Sequence, residues 1–266
     1  MNYYVLCWWY LISSHSSSNL EKLYYIKNEI TDINSLKIYR ASWIFISACA
    51  IRSFFPRIDG TRTCFFDSWI SYPLIGRICA TFGEIAFVYQ LTFTTKIFAH
   101  KLKCYNIYKL MNMIMILICI AQIFCWCGVL YQQNILHVIE ESIWTGCMII
   151  IGLSYFYFYD LTDNLKTKRY FMVAFIISVI YYVFMISVDI PMYYNRIENI
   201  SYLNNTIYNQ CVENKLYNKI KDIASCNNIS QSYNTWVNEI PWMTGYFIGA
   251  TWLSINIINF HKLSID

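Results

Sequence analysis

Charge is scarce in this chain. Asp, Glu, Lys and Arg make up 14% of its 266 residues, against roughly a quarter in a soluble globular domain. Glycine is scarce too, with 8 in all, and no run of them forms a phosphate-cradling loop. The 4 histidines make no histidine-box set, and no Ser-His-Asp arrangement is visible. Cys125-Trp126-Cys127 has a single-residue spacer, which is wrong for a thioredoxin-like pair. The last apolar run, 241–260, contains no lysine, so a retinal Schiff base has no attachment point there. The opening segment MNYYVLCWWYLISS lacks a basic n-region and a small-residue cleavage site, which argues against a cleaved signal peptide. No internal repeat with matching broken helices appears, and this weakens an inverted-repeat transporter.

What is abundant is apolar surface. Hydrophobic residues reach 57% and aromatics 19%, with 24 Tyr and 9 Trp. Such rings suit membrane interfaces, where an apolar body carries a polar tip. Apolar runs of helix length recur at 38–55, 74–98, 110–131, 135–159, 170–194 and 241–260. The fold class is therefore all-α: a polytopic transmembrane bundle of about six spans, or seven if the opening segment also crosses. Residues 1–37 read as an N-terminal interfacial or cytoplasmic segment, with a short helix near 20–30. Residues 38–266 form the bundle, which includes a long loop at 195–240. The Ile190-Pro191 step after Asp189 is expected to end the fifth helix.

Loop charge gives an orientation. Lys96, Lys101, Lys103 and Lys109 flank one short connection, and Lys166, Lys168 and Arg169 another. By the positive-inside rule both face the cytoplasm. The 195–240 loop then lies on the other side of an endomembrane or plasma membrane. It carries glycosylation sequons at Asn199, Asn204 and Asn228. Cys211 and Cys226 in that loop are placed to form a disulfide, and Cys49 and Cys64 form a second candidate pair.

Arginine breaks the charge rule. Four of the seven arginines, Arg52, Arg57, Arg62 and Arg77, lie in one short stretch with Asp59, Asp67 and Glu84. The guanidinium fork suits bidentate capture of carboxylate or phosphate. On the non-cytoplasmic side this stretch joins His137, Glu140 and Glu141 at the start of the fourth run, and Asp189 at the end of the fifth. Together they predict a polar cavity that binds or modifies an anionic lipid headgroup or similar small amphiphile. Arg52, Arg57, Asp59, Arg62, Arg77 and Asp189 would hold the ligand. Glu84, His137, Glu140 and Glu141 would supply acid–base groups.

His137, Glu140 and Glu141 also have the one-turn spacing of metal ligands on a helix face. The sequence assigns no cofactor. The modest +4 charge, spread over membrane flanks, gives no reason to invoke nucleic acid. Two other readings fit the same residues: a transporter or channel with Glu84 and Gln90 on the pathway, and a receptor-like or structural bundle.

Overall fold

A computed structural model describes residues 2–203 and 216–263. The chain divides into two compact units, residues 1–94 with 224–266 and residues 95–223.

The first unit begins with α1 (Tyr3–Ile26) and α2 (Ile33–Phe54). The aromatic opening and the serine-rich stretch after it form one continuous helix, much longer than the short helix expected near 20–30. Val5, Trp8, Ile12, Ser16, Asn19 and Leu23 recur at helical spacing and are all buried. The serines disguise an inward face. Ser13 Oγ donates to the Ser53 carbonyl at 2.9 Å, and Asn19 Nδ2 donates to Thr251 Oγ1 at 3.0 Å. Asp32 caps α2, its side chain accepting from the Asn34 and Ser35 amides at 2.8 and 2.9 Å.

After α2 the chain forms a hairpin of two short strands, β1 (Arg57–Ile58) and β2 (Thr63–Cys64), and β2 pairs in parallel with β3 (Asn228–Ile229). A Cys64–Cys226 disulfide ties β2 to the residues just before β3. This replaces both expected pairings. Cys49 is a free, buried thiol, and Cys211 lies outside the described residues. The parallel pairing of β2 with β3 sets the partner, and sequence proximity could not reveal it.

Helix α3 (Pro73–Lys101) runs through the division at Thr94. The first unit closes with α9 (Tyr233–Trp236), α10 (Ile240–Thr244), a π-helical turn (Gly245–Ala250) and α11 (Thr251–Leu263). Its core includes a closed polar network. Gln90 Nε2 donates to Ser42 Oγ and to the Ser254 carbonyl, both at 2.7 Å, and Gln90 Oε1 accepts from Ser254 Oγ at 2.8 Å.

In the second unit α4 (Tyr105–Tyr131) and α5 (Asn134–Leu161) form an antiparallel hairpin, turned at Gln132 in the left-handed region with φ 53°. Helix α6 (Leu165–Phe184) continues through a π-helical turn (Met185–Asp189) into α7 (Ile190–Leu203), and α8 (Leu216–Ile223) follows. Pro191 was expected to end this helix and does not. The wide turn just before it alters the carbonyl ladder that a proline would otherwise break.

Among the described residues, four helices are long and apolar enough to cross a membrane: 73–101, 105–131, 134–161 and 165–197. This is a membrane-associated helical protein. The expected first and last spans are helical as well, but fall outside that set. Helix α2 carries Lys37, Arg40 and Arg52, and the last stretch is built from shorter pieces.

Candidate functional site

In the first unit the arginine-rich segment folds onto itself. Arg52 stands in the last turn of α2, and Arg77 and Glu84 lie seven residues apart on α3, nearly on one face. Glu84 is gripped from two sides: Arg77 Nη2 donates to Oε2 at 2.9 Å, and Arg52 Nη1 approaches Oε1 at 3.5 Å. All three side chains are buried. The Arg52 guanidinium also faces the Tyr246 ring at 5.0 Å, a cation–π contact that helps offset its desolvation. Two guanidiniums sharing one carboxylate leave this trio with a net positive charge.

Arg57, in β1, is held differently. Its Nε lies 3.3 Å from Asp59 Oδ1, and its Nη1 donates to the Phe55 carbonyl at 3.3 Å. The guanidinium rests against the backbone of Gly76, the residue before Arg77, where a Cβ would sit 1.3 Å from Arg57 Cζ. Burial pushes the Arg57 guanidinium down to about 10, against the upward pull of Asp59. It is still protonated at neutral pH, in a setting that disfavours its charge.

Arg62 turns the β1–β2 hairpin with φ 52° and is fully buried. Its carbonyl accepts from the Asn227 amide at 3.0 Å, so its backbone helps register β3. Asp67 is exposed.

The second unit gathers a different set at the α4–α5 turn. His137 Nδ1 lies 3.0 Å from Glu140 Oε2 and 4.0 Å from Cys125 Sγ. The three donor atoms fall within 4.8 Å of one another, and all three residues are buried. The imidazole sits against Gly128, where a Cβ would come within 2.8 Å of Nε2. Its face is covered by Tyr193 of α7, with ring centres 5.0 Å apart. Asp189 is buried one helical turn before Tyr193. Glu141 is half-buried and stands outside the trio.

The residues singled out from sequence therefore fall into two groups. Arg52, Arg57, Asp59, Arg62, Arg77 and Glu84 belong to the first unit. His137, Glu140, Glu141 and Asp189 belong to the second.

Sequence reading missed Cys125, Tyr193, Gly76 and Gly128. A signal for two of these existed. In a tight antiparallel hairpin centred on Gln132-Gln133, Gly128 lies opposite His137 and Cys125 opposite Glu140. That register could have been counted along the chain. Tyr193 and Gly76 meet their partners only through tertiary packing.

Comparison of the chain with protein families, with curated proteins and with solved structures gives no match.

Proposed function

We propose that this is a multi-pass integral membrane protein that binds an anionic amphiphile, such as an acidic lipid headgroup, through the arginines of its first unit. One observation carries the reading: Arg52 and Arg77 converge on a single carboxylate. A buried group with surplus positive charge is stabilised by an added anion. Arg57 adds a second reason, since a phosphate or carboxylate beside it would relieve a guanidinium that burial disfavours. Glu84 is a positioning residue in this proposal, orienting both forks, and Asp59 does the same for Arg57.

The six apolar runs give six spans, with the basic connections near Lys101 and Lys168 in the cytoplasm. The arginine loop and the 195–240 loop then face the opposite, oxidising side. The Cys64–Cys226 disulfide supports this, because it joins those two loops. Asn228 is exposed beside the bridge, as glycan attachment requires. The pathway reading gains less. Gln90 is consumed by its hydrogen bonds to Ser42 and Ser254, and both oxygens of Glu84 face guanidiniums.

Thermal unfolding of the purified protein tests the proposal, with phosphatidic acid, phosphatidylcholine or inorganic phosphate added to the detergent. Phosphatidic acid should raise Tm and phosphatidylcholine should not. A matching rise with inorganic phosphate would identify a free anion rather than a lipid as the ligand. Arg57→Lys and Arg77→Lys keep the charge and lose the fork, and should lose the response. Equal shifts from both lipids, or an undiminished response in both variants, would refute anion recognition.

A further inference from the structure

We propose that Cys125, His137 and Glu140 form a transition-metal site that takes one zinc-like divalent ion at the α4–α5 turn. The inference concerns the second unit and does not depend on anion binding in the first. It rests on a convergence of unlike donors. Among the described residues this is the one group of three or more His, Cys, Asp or Glu side chains placed to share an ion. It comprises a thiol, an imidazole and a carboxylate, all buried.

The geometry favours an ion over a proton relay. A nucleophile–base–carboxylate relay needs the thiol on one imidazole nitrogen and the carboxylate on the other. Here Glu140 Oε2 and Cys125 Sγ both address Nδ1, at 3.0 and 4.0 Å. Nε2 is turned instead toward Gly128. The imidazole therefore cannot pass a proton from sulfur to carboxylate through its two nitrogens. Three donor atoms converging on one small volume is the arrangement that metal coordination requires.

Distances and charge agree with this. Tetrahedral zinc with ordinary Zn–S, Zn–N and Zn–O bonds sets its donors about 3.3 to 3.6 Å apart. The Glu140–His137 separation lies slightly below that range and the Cys125–His137 separation slightly above it. Bringing these two separations into range needs shifts on the order of half an ångström. Thiolate, neutral imidazole and carboxylate carry two negative charges between them, which a divalent ion cancels. A neutral assembly is one that a buried position tolerates. The donor set mixes soft sulfur with borderline nitrogen and hard oxygen, which suits zinc better than magnesium or calcium.

The surroundings hold the ligands in place. Gly128 leaves room for the ring, and Tyr193 packs its face at 5.0 Å. His137 lies in the first turn of α5 and Cys125 less than two turns from the end of α4. The site is therefore within about 10 Å of the hairpin end, and an ion reaches it from the turn without crossing the apolar helix length. Three protein ligands leave a fourth position for water or another small donor. Binding displaces the Cys125 thiol proton to solvent, so affinity should rise with pH.

Cobalt titration of the full chain in detergent, after chelator treatment, tests the site. One equivalent of Co(II) should bind with a thiolate-to-cobalt charge-transfer band, and Zn(II) should displace it. Cys125→Ser and His137→Ala should abolish the band, and Glu140→Gln should weaken binding at least tenfold. Cys127→Ser, at a cysteine outside the trio, should bind as wild type does. Failure of the wild type to bind cobalt overturns the proposal, as does a band that survives Cys125→Ser. Zinc-edge X-ray absorption on the wild-type protein stands even where a variant fails to fold. One sulfur with nitrogen and oxygen neighbours supports the site; a shell without sulfur overturns it.

Discussion

The Arg57 guanidinium occupies the space that any side chain at position 76 would fill, because a Cβ on Gly76 would lie 1.3 Å from Arg57 Cζ. One helix position in α3 thus fixes where a β1 side chain rests. Gly76→Ala should expel the guanidinium from its seat. Thermal unfolding should show a loss of about 1–3 kcal/mol, the usual cost of overpacking. The same variant should lose the Tm rise with phosphatidic acid. An unchanged response would mean that the seat does not serve ligand binding.

Glu84→Gln should be far more damaging than its small volume change implies. It leaves the buried guanidiniums of Arg52 and Arg77 without their shared carboxylate. Removing one partner of a buried ion pair costs about 3–5 kcal/mol. Denaturant unfolding in detergent measures it. Replacing Arg52 and Glu84 together by methionine should recover part of that loss, since fewer charges then stay buried and unmatched.

Gln90→Leu is predicted to lower stability by about 1–3 kcal/mol, because Ser42 and Ser254 would keep buried hydroxyls with one partner fewer. Anion binding should be untouched. A transport pathway through Gln90 predicts instead a changed flux in proteoliposomes, so the two measurements separate the readings.

Reducing the Cys64–Cys226 bridge, or substituting both residues by serine, should cost about 2–5 kcal/mol. The protein should also migrate differently on a gel with and without reductant. Substituting either cysteine alone should abolish that difference, whereas Cys49→Ser should preserve it.

Orientation has its own assay. If the loop carrying Asn228 faces a glycosylating compartment, glycosidase treatment should increase mobility, and Asn228→Gln should remove one step of that shift. A glycan at an introduced sequon in the Lys101–Lys103 connection would instead invert the topology.

Much of the helical architecture was legible because apolar runs longer than a dozen residues leave few options in a chain this poor in charge. The errors came where side-chain chemistry concealed geometry. Ser13, Ser16 and Asn19 fell within the segment read as interfacial or cytoplasmic and outside its short helix, yet they lie on the inward face of α1, satisfied by backbone carbonyls and Thr251. Pro191 read as a stop, because a π-helical turn cannot be foreseen from composition. The arginine segment announced itself by residue type, while its pairing scheme depended on the α2–α3 packing. Glu141 was grouped with His137 and Glu140 by spacing alone, and Cys125 was weighed only with Cys127, as a redox pair with the wrong spacer. In the structure the opposing helix of the hairpin supplies the third donor. Cys64 and Cys226 are 162 residues apart, a separation at which sequence offers no guide to partnership.

That bridge also changes what a break in the chain means. Everything from 95 to 223 lies between its two cysteines. A protease that cuts once anywhere in that interval leaves a single covalent molecule, with both ends of the first unit still joined. The second unit is thus the greater part of a covalently closed loop. Two independently expressed halves divided in that interval should find each other and become permanently linked on oxidation.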